Sequence, residues 1–219
     1  MKSIIFDLDG TLLDSAPDIR ATANTILKRY GRAPLSLEQT RGFIGSGARV
    51  FVARMAAAVG LDESDVPLQR LEDEFIAIYE HAHDLTRIYP GAEAALDRLA
   101  AEGWVMGLCT NKPIGPARAV LAHFGLDRRF ACVVGGDSLP VRKPDPAPLR
   151  HVHAAIGQGP VVYVGDSEVD AATAAAAAIP FALYTEGYRH GPIEAISHQG
   201  RFSDFACLPD LAEELLAQA

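Results

Sequence analysis

The sequence predicts an α/β protein, a doubly wound parallel sheet interrupted after its first strand by a helical insert, and three observations carry this. Ser3-Ile4-Ile5-Phe6 is an apolar run too short for a typical helix, and it delivers Asp7-Leu8-Asp9-Gly10-Thr11, as a buried strand running into a turn does. From Tyr89 onward, short strand-like runs alternate with amphipathic stretches, the signature of βαβ units and a parallel sheet. Between the two, residues 16–86 show apolar positions at three-four spacing and no strand-like run.

In chain order, Pro17 opens a helix through Ile19, Ala23, Ile26 and Leu27 that Gly31 and Pro34 end. Residues 47–59 and 66–82 repeat the helical spacing. Then come helix 91–102, strand 104–109, helix 114–123, strand 131–134, helix 145–156, strand 161–165, helix 169–178 and strand 180–184. The alanine run 171–178 has high helix propensity, and its small side chains allow close approach to a sheet. Pro209 opens a closing amphipathic helix over 209–218. No internal repeat is visible.

With 219 residues and 49% apolar content the chain buries a substantial core. A net charge of −8 opposes broad attraction to nucleic-acid phosphates or anionic membranes, and leaves room for a small anionic substrate held by local cations. Cys109, Cys132 and Cys207 lie in apolar surroundings without metal-ligand spacing, as reduced core thiols do. Asp7 and Asp9 interrupt the one apolar start and no run reaches membrane-span length, so neither signal peptide nor membrane partner is expected and the location read is cytoplasmic.

Side chains two apart on a strand share a face, so Asp7 and Asp9 point together and need a cation or a shared proton. Taken singly, Asp-x-Asp-Gly equally suits a turn cap, Thr110-Asn111 a helix cap, and Lys143-Pro144 a solvated loop. Position favours function. Ligands of open parallel sheets bind beyond the strands' carboxyl ends, where Asp7 and Asp9, Thr110 and Asn111, and Asp166, Ser167 and Asp170 all fall. Lys143 lies just before a helix.

Four segments, Asp7-Leu8-Asp9-Gly10-Thr11, Thr110-Asn111-Lys112, Lys143-Pro144-Asp145 and Gly165-Asp166-Ser167-Glu168-Val169-Asp170, together resemble those of the haloacid-dehalogenase-like (HAD) phosphohydrolases, and within them the phosphoglycolate phosphatase group. The resemblance implies a Rossmann-like core of residues 1–15 plus 87–219 and an α-helical cap of residues 16–86. It implies phosphomonoester hydrolysis through an aspartyl phosphate, with Asp7 as nucleophile and Asp9 as acid and base. Mg²⁺ is the implied cofactor, held by Asp7, Asp166 and the backbone carbonyl of Asp9, with Asp170 either on the metal or bonding a metal water or Lys143. Thr110, Asn111 and Lys143 are the implied donors to phosphoryl oxygens.

Gly45-Ser46-Gly47-Ala48-Arg49 lacks the third glycine and the preceding strand of a dinucleotide loop. In resembling proteins this stretch of the cap faces the site, so Gly45, Gly47 and Arg49 are expected to meet a substrate anion; a helix start with a surface arginine fits the residues equally. His81, His83, His151 and His153 sit in helical patterns and read as solvated. The partner is a small phosphorylated metabolite, 2-phosphoglycolate leading, and no feature points to an oligomeric state. A sugar phosphomutase would use the same residues. A phospho-accepting receiver also combines Asp, Mg²⁺, Thr and Lys, but needs no insert after its first strand.

Overall fold

The computed structural model describes residues 1–218; Ala219, the last residue assigned to the core, lies outside them. The main sheet is built on β1 (Ser3–Phe6), all four residues of which are buried. Around it lie β4 (Val105–Cys109), β5 (Cys132–Val134), β6 (Val161–Gly165), β7 (Phe181–Tyr184) and β8 (Gly200–Phe202), in the order β5-β4-β1-β6-β7-β8. Every pairing is parallel, with Ile4 beside Met106 on one side and Val162 on the other. The chain winds outward in both directions from β1, so the strand order reverses there and a crevice opens at its carboxyl end.

Alternation along β1 supplies both faces of the sheet. Ile4 and Phe6 join a cluster with Leu96 and Leu99 of α5 (Ala92–Ala101), Val120 of α6 (Ile114–His123) and Leu215 of α9 (Leu208–Gln218). Ile5 points the other way, into a cluster with Leu149 and Val152 of α7 (Ala147–Ala155) and Ala174 of α8 (Glu168–Ala177).

The insert is α1 (Ala16–Arg29), α2 (Leu37–Phe43), α3 (Ala48–Ala58) and α4 (Leu68–Tyr79), around a separate core that includes Ile26, Val52, Met55, Leu71 and Phe75. Where the chain leaves and re-enters the sheet domain, β2 (Leu13–Asp14) pairs antiparallel with β3 (Arg87–Ile88). Buried Asp18 closes the same junction, accepting from the N–H of Leu85 at 3.1 Å and from the N–H and hydroxyl of Thr86, each at 2.6 Å. Tyr188 belongs to a loop after β7 yet packs into the insert's core; its hydroxyl donates to Asp14 Oδ1 at 2.5 Å and accepts from the N–H of Ala16 at 3.0 Å.

Five elements depart from the sequence expectation. The seven-residue α2 is started by a capping box in which Ser36 accepts from Gln39 N–H and Gln39 accepts from Ser36 N–H. β2, β3 and β8 are two or three residues long, too short to carry a periodicity. The helix expected over 66–82 ends at Tyr79, so His81 and His83 lie beyond it; the His83 ring stacks 5.2 Å from that of His123. Of the three cysteines Cys109 alone is buried, Cys132 is half-buried, and Cys207 is exposed on a short turn before α9 rather than in the core. No helix among the described residues is long and apolar enough to cross a membrane.

Candidate active site

The backbone N–H of Asp7 donates to Val164 O at 2.9 Å, which ties the residue after β1 to β6 and fixes the carboxylate at the sheet's carboxyl edge. Lys143 Nζ lies 2.9 Å from Asp7 Oδ1, 2.7 Å from Asp170 Oδ1 and 2.9 Å from the Tyr163 hydroxyl. Asp170 is held from the other side by a second capping box. The Ser167 N–H and hydroxyl donate to its Oδ2 at 3.2 and 2.6 Å, and its own N–H returns to Ser167 Oγ.

Asp166 ends β6. Its Oδ1 accepts from the Thr11 hydroxyl at 2.8 Å and its Oδ2 from the Tyr188 N–H at 2.6 Å. The loop after Asp7 crosses directly over this carboxylate. Gly10 makes that possible, because at φ +87° an L side chain is strained and a Cβ would collide with Asp166.

Burial pushes the Asp7 carboxyl up to about 6, with nearby Lys143 opposing and Asp170 reinforcing. Asp166 is pushed well above the usual carboxylate range by burial and then by Asp170 and Asp7. Asp170 is desolvated too, yet Lys143, Ser167 and Tyr163 hold it below the ordinary value. Asp7 and Asp166 therefore hold their protons more tightly than ordinary carboxylates, as buried acids short of positive charge do.

Asp7, Asp166 and Asp170 each offer one oxygen, all within 4.8 Å of one another and all buried. Asp7 Oδ1 has no well-angled hydrogen-bond partner although the Lys143 ammonium is in ion-pair range. Three buried carboxylates with one orphaned oxygen fit a hard divalent cation, and an all-oxygen donor set disfavours a soft one. Asp170, whose oxygens already take donors from Lys143, Tyr163 and Ser167, is the most occupied of the three.

Asp9 accepts from the Ser15 hydroxyl at 2.6 Å and from Lys112 Nζ at 3.1 and 3.4 Å. Lys112 is 94% buried by its 6% exposure; its ammonium also bonds the hydroxyl of Tyr79, from α4, and lies 3.8 Å from that ring's centroid. Burial lowers its proton affinity and Asp9 opposes the shift. Its place in the site was not read from the sequence, where a lysine after Thr-Asn was one letter of a motif.

Thr110 uses its oxygen to accept from Lys112 N–H at 3.2 Å, so its hydroxyl proton is free. Asn111 differs from the expectation. Its side-chain amide donates to Gly45 O at 2.9 Å and Lys143 O at 3.0 Å, stapling the insert to the lysine loop, and is not free for a phosphoryl oxygen.

Between the sheet edge and the insert lies a cavity of about 50 Å³, with Asp7, Asp9, Thr110 and Lys112 on one wall and Gly45, Gly47, Phe51, Phe75 and Tyr79 on the other. Gly47 begins α3 at φ +88° and ψ 167°, a conformation open essentially to glycine alone. Arg49 does not join this wall. Gln69 and Glu72 of α4, each 2.9 Å away, hold its guanidinium half-exposed and outside the cavity lining.

The sequence profile of haloacid dehalogenase-like hydrolases matches residues 1–178. The chain belongs to that family. Among its relatives, the phosphoglycolate phosphatase of Cereibacter sphaeroides is 53% identical over 218 residues, covering 99% of this chain and all of the relative. The phosphoglycolate phosphatase of Rhodobacter capsulatus is 43% identical, with 96% of each chain covered. The crystal structure of a predicted phosphoglycolate phosphatase from Haemophilus somnus superposes with a TM-score of 0.90 at 32% identity, covering 96% of this chain and 97% of that one. As a haloacid dehalogenase-like hydrolase the protein is an enzyme whose acidic cluster suits the divalent metal its family uses.

Proposed function

We propose that the protein is a cytoplasmic, Mg²⁺-dependent phosphatase acting on 2-phosphoglycolate, with residues 16–86 as the cap over a core of residues 1–15 and 87–219. The observation that carries this is a buried Asp7, backed by Lys143 and facing Asp9, at the floor of a cavity of about 50 Å³. By that measure one water needs ~10–15 Å³, so the space suits a phosphoryl group with a short arm rather than a sugar ring. The names and full-length similarity of the relatives support the same substrate.

Asp7, Asp166 and the carbonyl of Asp9 would hold the metal, and Asp170 positions Lys143 beside it. When bound, Mg²⁺ screens the charge of carboxylate and phosphate and favours transfer between them. Asp7, ionised without help from a base, attacks phosphorus; the P–O bond to the leaving group breaks and Asp9 gives that oxygen a proton. An aspartyl phosphate remains on Asp7. Asp9 then takes a proton from water as it attacks phosphorus, releasing phosphate and restoring Asp7. The free proton of Thr110 and the backbone N–H of Asn111 donate to the equatorial oxygens, and the Lys143 charge behind Asp7 offsets the negative charge that gathers there. The cap, with Gly45 and Gly47 at its lip, excludes bulk water during transfer.

The test is phosphate release from a panel of phosphorylated metabolites, with Mg²⁺ and with EDTA. Fastest metal-dependent release from 2-phosphoglycolate is expected. Release fastest from sugar phosphates, or undiminished in EDTA, would overturn the reading.

A further inference from the structure

Arg49 is turned away, which leaves the far end of the proposed substrate without the cation first expected to read it. A carboxylate two bonds beyond the ester oxygen shares the cavity with Ile44, Phe51 and Phe75, and an unpaired charge in such surroundings is costly. Among the residues lining the cavity one side chain is cationic, and it is Lys112. Lys143 sits behind Asp7, committed to Asp7, Asp170 and Tyr163.

Resting on the reading of 2-phosphoglycolate as substrate, we infer that Lys112 binds the substrate's carboxylate and is the residue that selects for it. The ammonium has three donors. One meets Asp9 Oδ1 at 3.1 Å and one the Tyr79 hydroxyl; the contact to Asp9 Oδ2, at 3.4 Å, is beyond ordinary hydrogen-bond length, so that donor turns to a substrate oxygen at small cost. Asp9 and Tyr79 thus hold the charge in place from core and cap at once. The lip of the cap comes close to the backbone just before Lys112: a Cβ on Gly47 would lie 3.4 Å from the carbonyl of Asn111, and 3.2 Å from Nη1 of Arg142, an exposed side chain that does not line the cavity. A substrate with a neutral tail leaves the third donor unused, and one with a cationic tail is repelled.

The experiment compares kcat/KM for 2-phosphoglycolate and for ethyl phosphate, which keeps the ester and lacks the carboxylate, in the wild type and in Lys112→Met. Methionine nearly preserves the volume of the buried stem. The wild type is expected to prefer 2-phosphoglycolate, and Lys112→Met to reduce that preference by about 10- to 100-fold, the range for a lost hydrogen bond to a charged group. A folded Lys112→Met that keeps the wild-type preference overturns this inference and leaves the substrate reading standing. A wild type that shows no preference overturns both. Should Lys112→Met not fold, Tyr79→Phe takes its place: it removes the hydroxyl that steers the ammonium, and is expected to lower the preference about threefold or more. An unchanged preference in Tyr79→Phe then overturns the inference.

Discussion

The two walls of the cavity are built on opposite principles. On the core wall the charged side chains are wired to one another: Lys143 to Asp7 and Asp170, Asp170 to Ser167, and Asp166 to Thr11 and Tyr188. The cap wall is mostly apolar, with Phe51 and Phe75 packed 5.1 Å apart between ring centroids, and its polar contributions are the Tyr79 hydroxyl and the backbone at Gly45 and Gly47. Buried charge holds position only when every partner is supplied, so the core wall is suited to chemistry that tolerates little displacement. An apolar wall has no charges to keep in register and shapes the space by packing. Lys112 is the exception that joins them, a core lysine gripped by a cap tyrosine.

If the chemistry lies on the core wall, Asp7→Asn should lose activity by about 10⁴-fold or more while its melting temperature in EDTA stays at or above that of the wild type, because the amide keeps the shape and removes a buried charge. Steady-state phosphate release and thermal melts check both. Asp9→Asn should lose about 10²- to 10⁴-fold in turnover, yet give a burst of leaving group from an aryl phosphate, whose departure needs no proton. Full steady-state activity in that variant would move the acid-base role elsewhere.

On the cap wall, Gly47→Ala should cost ~1–3 kcal/mol locally, because no L side chain is at ease at φ +88° and ψ 167°. The expected result is a kcat/KM about tenfold lower, expressed mainly in KM. An equal fall in kcat would place Gly47 with the chemistry and weaken the division between the walls.

A smaller effect follows from the Asp7 carboxyl, which keeps its proton up to about pH 6 in the folded metal-free protein, against 3.8 ordinarily. A raised folded value means that Asp7 withdraws stability as pH climbs from 3.8 to about 6, and a cation held by the carboxylate offsets that loss. The rise in melting temperature caused by Mg²⁺ should therefore be larger at pH 7 than at pH 5. In Asp7→Asn this difference should shrink.

Much of this division could be read in the chain itself. The strand-end positions of Asp7, Thr110 and Asp166 were legible because buried parallel strands are continuous apolar runs, and a polar residue at their carboxyl end stands out. Ser167 and Asp170 were read as polar residues past a strand end, but the reciprocal capping box that holds Asp170 so tightly was not. Arg49 and Lys112 were misweighed for one reason: charge type is visible in a sequence, but its partners are not. Gln69 and Glu72 draw Arg49 outward, while Asp9 and Tyr79, distant in sequence from each other and from Lys112, draw it in. The β2–β3 ribbon was hidden too, because its two halves are separated by the whole insert.

The central claim, that Asp7 takes the phosphoryl group, is tested most directly by mass spectrometry of peptides from Asp9→Asn, acid-quenched after mixing with an aryl phosphate and Mg²⁺. The account predicts one added phosphoryl group on the peptide that contains Asp7, and none when Asp7→Asn is introduced as well. A phosphoryl group on another residue, or phosphate released with that peptide unmodified throughout, would contradict it.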